Sequence, residues 1–241
     1  MATLTNKMAI VTGASSGIGR AIALDLAREG AVLCLVGRNL AALEDTRALA
    51  LHSTPQATTF AADLTNDSDL RQLTEYVQEL GQVDVLVHSA GVFKMGKLAD
   101  SAIADFDLQY QINVRAPYLL TQALLPMLLA SQGQIVFVNS SAGLNARANV
   151  GQYAASKFAL KAIADSLRAE VNAEAKVRVL SIFPGRTASP MQAAIYQMEG
   201  KTYDPDVLLQ PEDVAMTVVK ALSLPPTAEI TDINIRPCKK T

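Results

Sequence analysis

Short runs of β-branched and other apolar residues recur along the chain, at 9–12, 32–36, 58–61, 83–87, 135–138, 177–182 and 230–235. Between them, residues 17–29, 40–51, 67–80, 102–130, 151–173 and 211–222 repeat their apolar positions every three or four residues. The first pattern predicts seven strands and the second the helices that separate them. The strand runs are almost continuously apolar, as expected when both faces of a strand are covered. Strict strand–helix alternation then predicts an α/β fold, one Rossmann-like doubly wound domain over residues 1–241, with a mostly parallel seven-stranded sheet and helices on both faces.

Segment 184–210 breaks the alternation. It holds Pro184, Gly185, Pro190, Gly200 and Pro205 among scattered Met and Tyr, and reads as an irregular substrate lid after the sixth strand. Its Met191, Tyr196, Met198 and Tyr203 either line an adaptable apolar pocket or pack the lid itself.

Composition narrows the partners. A formal net charge of −2 without runs of like charge gives nothing to follow a nucleic-acid backbone, so a small neutral or anionic molecule is expected. Residues 116–130, interrupted by Thr121, Gln122 and Pro126, fall short of the ~20 apolar residues that span a bilayer. Lys7 precedes only four apolar residues, too few for a signal-peptide core, so a cytoplasmic address is expected. Cys34 and Cys238 match no metal-ligand or disulfide spacing, and no metal site is expected.

Candidate chemistry begins directly after the first strand. Gly13, Ser15, Ser16, Gly17, Ile18 and Gly19 form a glycine-rich turn opening a helix, where free N–H groups and the positive dipole end suit a pyrophosphate. After the second strand, where sites for NAD place a carboxylate, stand Arg38 and Asn39. A guanidinium there suits a 2′-phosphate, which favours NADP(H) over NAD(H). Asp63 and Leu64 end the third strand, with Asp63 either a partner for an adenine amino group or a turn residue. Ser89, Ala90 and Gly91 end the fourth, after His88, which reads as a structural side chain. Tyr153 and Lys157 stand four apart on one helix, so the ammonium faces the phenol and should lower its pKa, and Ser140 at the end of the fifth strand is a second donor for a substrate oxygen.

These motifs, taken in order with Asn113 and the Pro184-Gly185 pair, resemble those of the short-chain dehydrogenase/reductase family, of its NADP-preferring type. The resemblance covers nearly the whole chain. It implies hydride transfer between the nicotinamide and a carbonyl or secondary alcohol, with Tyr153 as general acid/base and Ser140, rather than Ser141, orienting the substrate oxygen. It further implies that Lys157 holds the nicotinamide ribose, that Asn113 supports Lys157 through a water, and that Thr187, just past Pro184 and Gly185, lies near the carboxamide. Pairing of copies into homodimers or homotetramers through helices 102–130 and 151–173 is implied as well.

The chain departs from the family pattern at three places. His88 and Ser89 stand where two asparagines are usual, Ser16 stands where many NADP-using members carry a basic residue, and the end Ile233-Asn234-Ile235-Arg236-Pro237 lacks a Gly-Gly pair. The NADP assignment therefore rests on Arg38. A competing reading is an NADP-binding regulatory protein with little or no turnover, against which the trio Ser140, Tyr153 and Lys157 weighs.

Overall fold

A computed structural model describes residues 4–172 and 177–238. Seven parallel strands lie in the order β3-β2-β1-β4-β5-β6-β7: β1 (Met8–Thr12), β2 (Val32–Gly37), β3 (Ala57–Ala61), β4 (Val85–His88), β5 (Gln134–Val138), β6 (Arg178–Pro184) and β7 (Asp232–Ile235). The helices are α1 (Gly17–Arg28), α2 (Leu40–Ala50), α3 (Asp67–Glu79), α4 (Ile103–Tyr110), α5 (Ala116–Ser131), α6 (Gly151–Asn172), α7 (Pro190–Met198) and α8 (Pro211–Leu222). The order reverses between β1 and β4, and the crevice beyond their C-terminal ends is where open α/β sheets bind ligands.

Alternation along each strand divides the interior into two cores. Ala9 and Val11, Leu33 and Leu35, Val85 and Val87, and Val136 and Val138 face one layer, which α1 and α8 cover. Ile10, Cys34 and Val36, Leu86, and Ile135 and Phe137 face the other, packed on α3, α5 and α6. A period of two with both faces apolar is what covering on both sides requires. Truncating a fully buried Leu of either layer to Ala costs about 2–5 kcal/mol.

Two predicted elements differ from those observed. Segment 102–130 is one bent rod in three parts, because a π-helical turn, Gln111–Arg115, separates α4 from α5. Such a turn inserts a residue into the i→i−4 ladder, which apolar periodicity does not register. Segment 184–210 is more ordered than its prolines suggest. Ser189 caps α7, accepting from the Gln192 N–H at 3.2 Å, and Pro190 fills the first helical position, where a missing N–H costs nothing. At the base of this excursion Ala188 N–H donates to Leu209 C=O at 2.7 Å, and Leu209 N–H to Arg186 C=O at 3.1 Å, so its two ends are pinned together.

Strand and helix ends shift by one or two residues. The fourth strand starts at Val85 because the Asp84 carboxylate accepts from Met8 N–H and Lys7 Nζ, both at 2.8 Å. The predicted end of the sixth helix at residue 173 lies outside the described residues. Among those described, no helix is long and apolar enough to cross a membrane.

Candidate active site

The glycine loop is fixed by close backbone approach. Gly13 has φ +69°, and a Cβ there would come within 2.7 Å of Ala90 N; a Cβ on Gly19 would overlap the Gly13 carbonyl oxygen. Gly17, at φ +54°, opens α1, and its N-cap residue Ser16 makes no side-chain capping bond, which leaves the first N–H groups of the helix available. Thr12 ties this loop to the end of β4, its hydroxyl accepting from Ser89 and Ala90 N–H at 3.1 and 3.2 Å and donating to Val87 C=O. Around the loop lies a cavity of about 270 Å³. Ser15, Ser16, Ile18, Arg38, Asp63, Leu64, Ser89, Ala90 and Gly91 line it beside the glycines, and Tyr153 and Lys157 close one end. A backbone cradle that only glycine admits, facing an uncapped helix end, fits a phosphate-bearing dinucleotide.

Of the residues expected at the cofactor, Asn39, Pro184, Gly185 and Thr187 do not line this cleft. Asn39 caps α2, its side chain accepting from Ala42 N–H at 3.1 Å, and does not line the cavity. Thr187 lies outside the cleft; its hydroxyl donates to Gly185 C=O at 3.1 Å, and with Pro184 and Gly185 it lines a second cavity. Asp63 is a turn residue at the edge of the cleft. Its Oδ1 is held in a turn by the N–H and hydroxyl of Thr65 at 2.9 and 2.8 Å, while the residue still borders the cleft. Those bonds, and after them the Arg38 charge, hold the Asp63 carboxyl below the usual range. His88 is buried and structural, with Nε2 2.8 Å from Thr121 Oγ1 and its ring stacked on Phe137; burial pushes its pKa down to about 3.

Tyr153 and Lys157 lie in the first two turns of α6, both buried. Lys157 Nζ donates to Val138 C=O at 3.0 Å and sits 5.9 Å from the centre of the Tyr153 ring. The phenol packs edge-on against Phe93, with ring centres 4.8 Å apart. Burial pushes Tyr153 up to about 12 even though the Ser140 hydroxyl bonds to it, and pushes Lys157 down to about 8. Lys157 is not among the causes of the tyrosine shift; burial dominates both groups, raising Tyr153 against the expected lowering and lowering Lys157. Ser140, at the start of the turn Ser141–Gly143, is the serine that faces Tyr153; its Oγ also accepts from Ala142 N–H at 3.1 Å.

Asn113 lies in the π-helical turn. Its side chain accepts from Val92 N–H at 2.9 Å and donates to Val92 C=O and Ser156 Oγ, each at 3.0 Å. Its amide thus ties the segment after Gly91 to the Tyr153 helix. Four supporting residues were not anticipated. Thr12 and Ser156 act as the links just described. Asn139 accepts from Ser140 N–H at 2.9 Å and donates to Lys157 C=O at 3.1 Å, joining the serine strand end to α6. Gly143 permits this, because a Cβ there would come within 2.5 Å of Asn139 Oδ1. Ser189 lines the dinucleotide cleft, its Cβ facing the glycine loop at Gly17. Its sequence signal was the Ser-Pro pair that starts α7.

On the other side of Tyr153 lies the second cavity, of about 580 Å³. Ser140, Tyr153, Met191 and Met198 line it, whereas Tyr196 and Tyr203 pack edge-to-face within the lid. Tyr153 borders both cavities, so a group held in one can meet a group held in the other across its hydroxyl.

The family model for short chain dehydrogenases matches residues 7–200. An uncharacterized oxidoreductase of Staphylococcus epidermidis is 35% identical over 239 residues, covering 98% of this chain and 100% of that protein. Among solved structures, a short-chain dehydrogenase from Shigella flexneri complexed with NADP has a TM-score of 0.87 at 34% identity, over 98% of this chain and 99% of that one. A metagenomic short-chain oxidoreductase in complex with NADP has a TM-score of 0.85 at 30% identity, over 99% and 100%. The chain is an oxidoreductase and belongs to the short-chain dehydrogenase family.

Proposed function

We propose that this short-chain dehydrogenase is an NADP(H)-dependent enzyme that interconverts a carbonyl compound and its secondary alcohol, with Tyr153 as general acid/base. One observation carries the reading: Tyr153 stands in the shared wall of the two cavities, with Ser140 on its hydroxyl and Lys157 behind it. NADP rather than NAD is supported by Arg38 at the cleft and by the NADP complexes of the relatives.

Gly13, Ser15, Ser16, Gly17, Ile18 and Gly19 hold the pyrophosphate, Arg38 the 2′-phosphate, Asp63 and Leu64 the adenine side, and Ser89, Ala90, Gly91 and Ser189 the remainder of the dinucleotide. NADPH supplies the hydride when bound. Tyr153 Oη donates its proton to the substrate oxygen, to which Ser140 Oγ gives a second hydrogen bond as negative charge develops there. The phenol holds that proton throughout the neutral range, since burial keeps its pKa at about 12. Lys157, while protonated, favours the phenolate left behind, and Asn113 and Asn139 are positioning residues that fix α6 against Gly91 and Ser140. Segment 184–210 serves as the lid. Tyr110, Tyr118, Leu129 and Phe158, apolar and exposed on helices 102–130 and 151–173, support pairing of copies there, which light scattering reads directly.

The test is to follow NADPH and NADH consumption against ketones, aldehydes, diketones and quinones. The reading expects turnover with NADPH preferred. Tight NADPH binding without reduction of any carbonyl would favour the regulatory alternative, and a wide preference for NADH would remove Arg38 from the site.

A further inference from the structure

The lid wall of the second cavity is rich in donors. Arg186 lies over the Tyr196 ring, 4.9 Å from its centre, and its Nη2 meets both oxygens of Glu199 at 2.7 and 3.0 Å. Lys201 Nζ reaches the same carboxylate at 2.8 Å. One anion thus serves two cations. Arg147, exposed on the loop after the Ser140 turn, lines the cavity too and makes no ion pair or side-chain hydrogen bond among the described residues. Three cations against one carboxylate leave a positive cavity in a chain of formal net charge −2.

A neutral group adds to the excess. Gln192 is only 7% exposed and lines the cavity from α7, and its Nε2 has no hydrogen-bond partner. A buried unpaired donor is costly to keep, which points to a partner that the bound state supplies. Arg147, the second cation on Glu199 and the Gln192 Nε2 are thus left as donors at the cavity, and their complement is an acceptor group.

We propose that the substrate carries, besides its carbonyl or hydroxyl carbon, an oxyanion (carboxylate or phosphate ester) that Arg147 and Lys201 hold at the rim of the second cavity with the Gln192 amide as a neutral donor. This rests on the oxidoreductase reading above and specifies its substrate class. The reacting oxygen lies at Tyr153, and the anionic end is turned toward the lid. Arg186, engaged with Glu199 and stacked on Tyr196, holds the lid wall together and leaves Lys201 free to exchange partners.

The test measures initial rates with NADPH on matched pairs: levulinate against methyl levulinate, and hydroxyacetone phosphate against hydroxyacetone. A charge-assisted contact of this kind should favour the anionic member of at least one pair about tenfold or more in kcat/KM. The pair that responds distinguishes carboxylate from phosphate. R147Q and K201Q should each reduce that ratio several-fold, chiefly through KM, and added salt should reduce it in the unmodified protein. R71Q, on α3 outside this cavity, should leave it unchanged. Equal or better use of both neutral members, or ratios that R147Q and K201Q leave intact, would overturn the proposal. If no carbonyl of either charge is reduced, the oxidoreductase reading fails. The anion site is then judged by calorimetry on NADP-loaded protein with butyrate, butyramide and inorganic phosphate. Anion binding that R147Q weakens would sustain it, and binding absent or unchanged by R147Q would overturn it.

Discussion

The two cavities that meet at Tyr153 are built from different materials. The dinucleotide cleft is mostly backbone, with glycines whose missing Cβ atoms leave room for the Gly13 carbonyl and Ala90, and a helix end that keeps its N–H groups free. The second cavity is mostly side chain, with Met191, Met198, Arg147, Gln192 and Lys201 hung on a lid that is tied only at its base. A backbone site tolerates almost no substitution and recognises groups common to every dinucleotide. A side-chain site can be rebuilt residue by residue without disturbing the sheet, and there specificity can change while the chemistry stays.

The contrast is broken most forcefully at Gly19. Gly19→Val drives side-chain atoms into Gly13, and overpacking of that kind costs about 3 kcal/mol or more, so NADPH affinity measured by fluorescence titration should fall about 100-fold. Met198→Ala, on the half-exposed lid, should leave that affinity alone and move stability by no more than about 0.5 kcal/mol. Similar effects of the two would dissolve the distinction.

In the proposed reading Arg38, which lines the cleft, sets its cofactor choice. Arg38→Ala should raise the KM for NADPH about tenfold to 100-fold while changing that for NADH little, as expected when a charge-assisted contact to a phosphate is removed.

Lys157 supplies a pH test between the cavities. Burial pushes it down to about 8, so its charge is present below that pH and lost above it, while Tyr153, near 12, keeps its proton. Carbonyl reduction should therefore be flat below about pH 8 and slow by up to about tenfold per unit above it. A profile flat to about pH 10 would show that the lysine charge is not needed.

The smallest effect lies under the cleft, at His88. Its folded pKa is depressed to about 3 against an ordinary value of about 6.5, so the unfolded chain takes up the proton first and stability falls as pH drops through that window. The loss approaches about 1.4 kcal/mol per pH unit. Unfolding free energies from denaturant titrations at pH 7 and pH 5 should differ by about 2 kcal/mol more in the native protein than in His88→Asn.

The same division explains how much could be read in advance. Strand alternation, the glycine turn and the four-residue spacing of Tyr153 and Lys157 are local patterns, and the fold and the cleft's position follow from them. The π-helical turn that carries Asn113 was not legible, since one inserted residue barely disturbs apolar periodicity. α7 was hidden by its prolines, although Ser189-Pro190 is a helix start. Asn39 caps α2 and Thr187 bonds Gly185, orientations that proximity in sequence to the cleft does not reveal. Asn139 came from no motif, and Ser156, though inside the Tyr153–Lys157 motif, had no role to read there, as the value of both lies in contacts between distant elements. The direction of the Tyr153 shift was misjudged for a similar reason: spacing revealed the nearby cation but not the burial that raises the phenol.

The central claim is that Tyr153 moves a proton where the two adjoining cavities meet. Comparing the unmodified protein with Tyr153→Phe, both loaded with NADPH and mixed with a reducible ketone, tests it most directly. The account predicts NADPH affinity changed less than about twofold and turnover lower by about 10²- to 10⁴-fold. Equal turnover by the two proteins, or tight NADPH binding with no turnover by either, would contradict it.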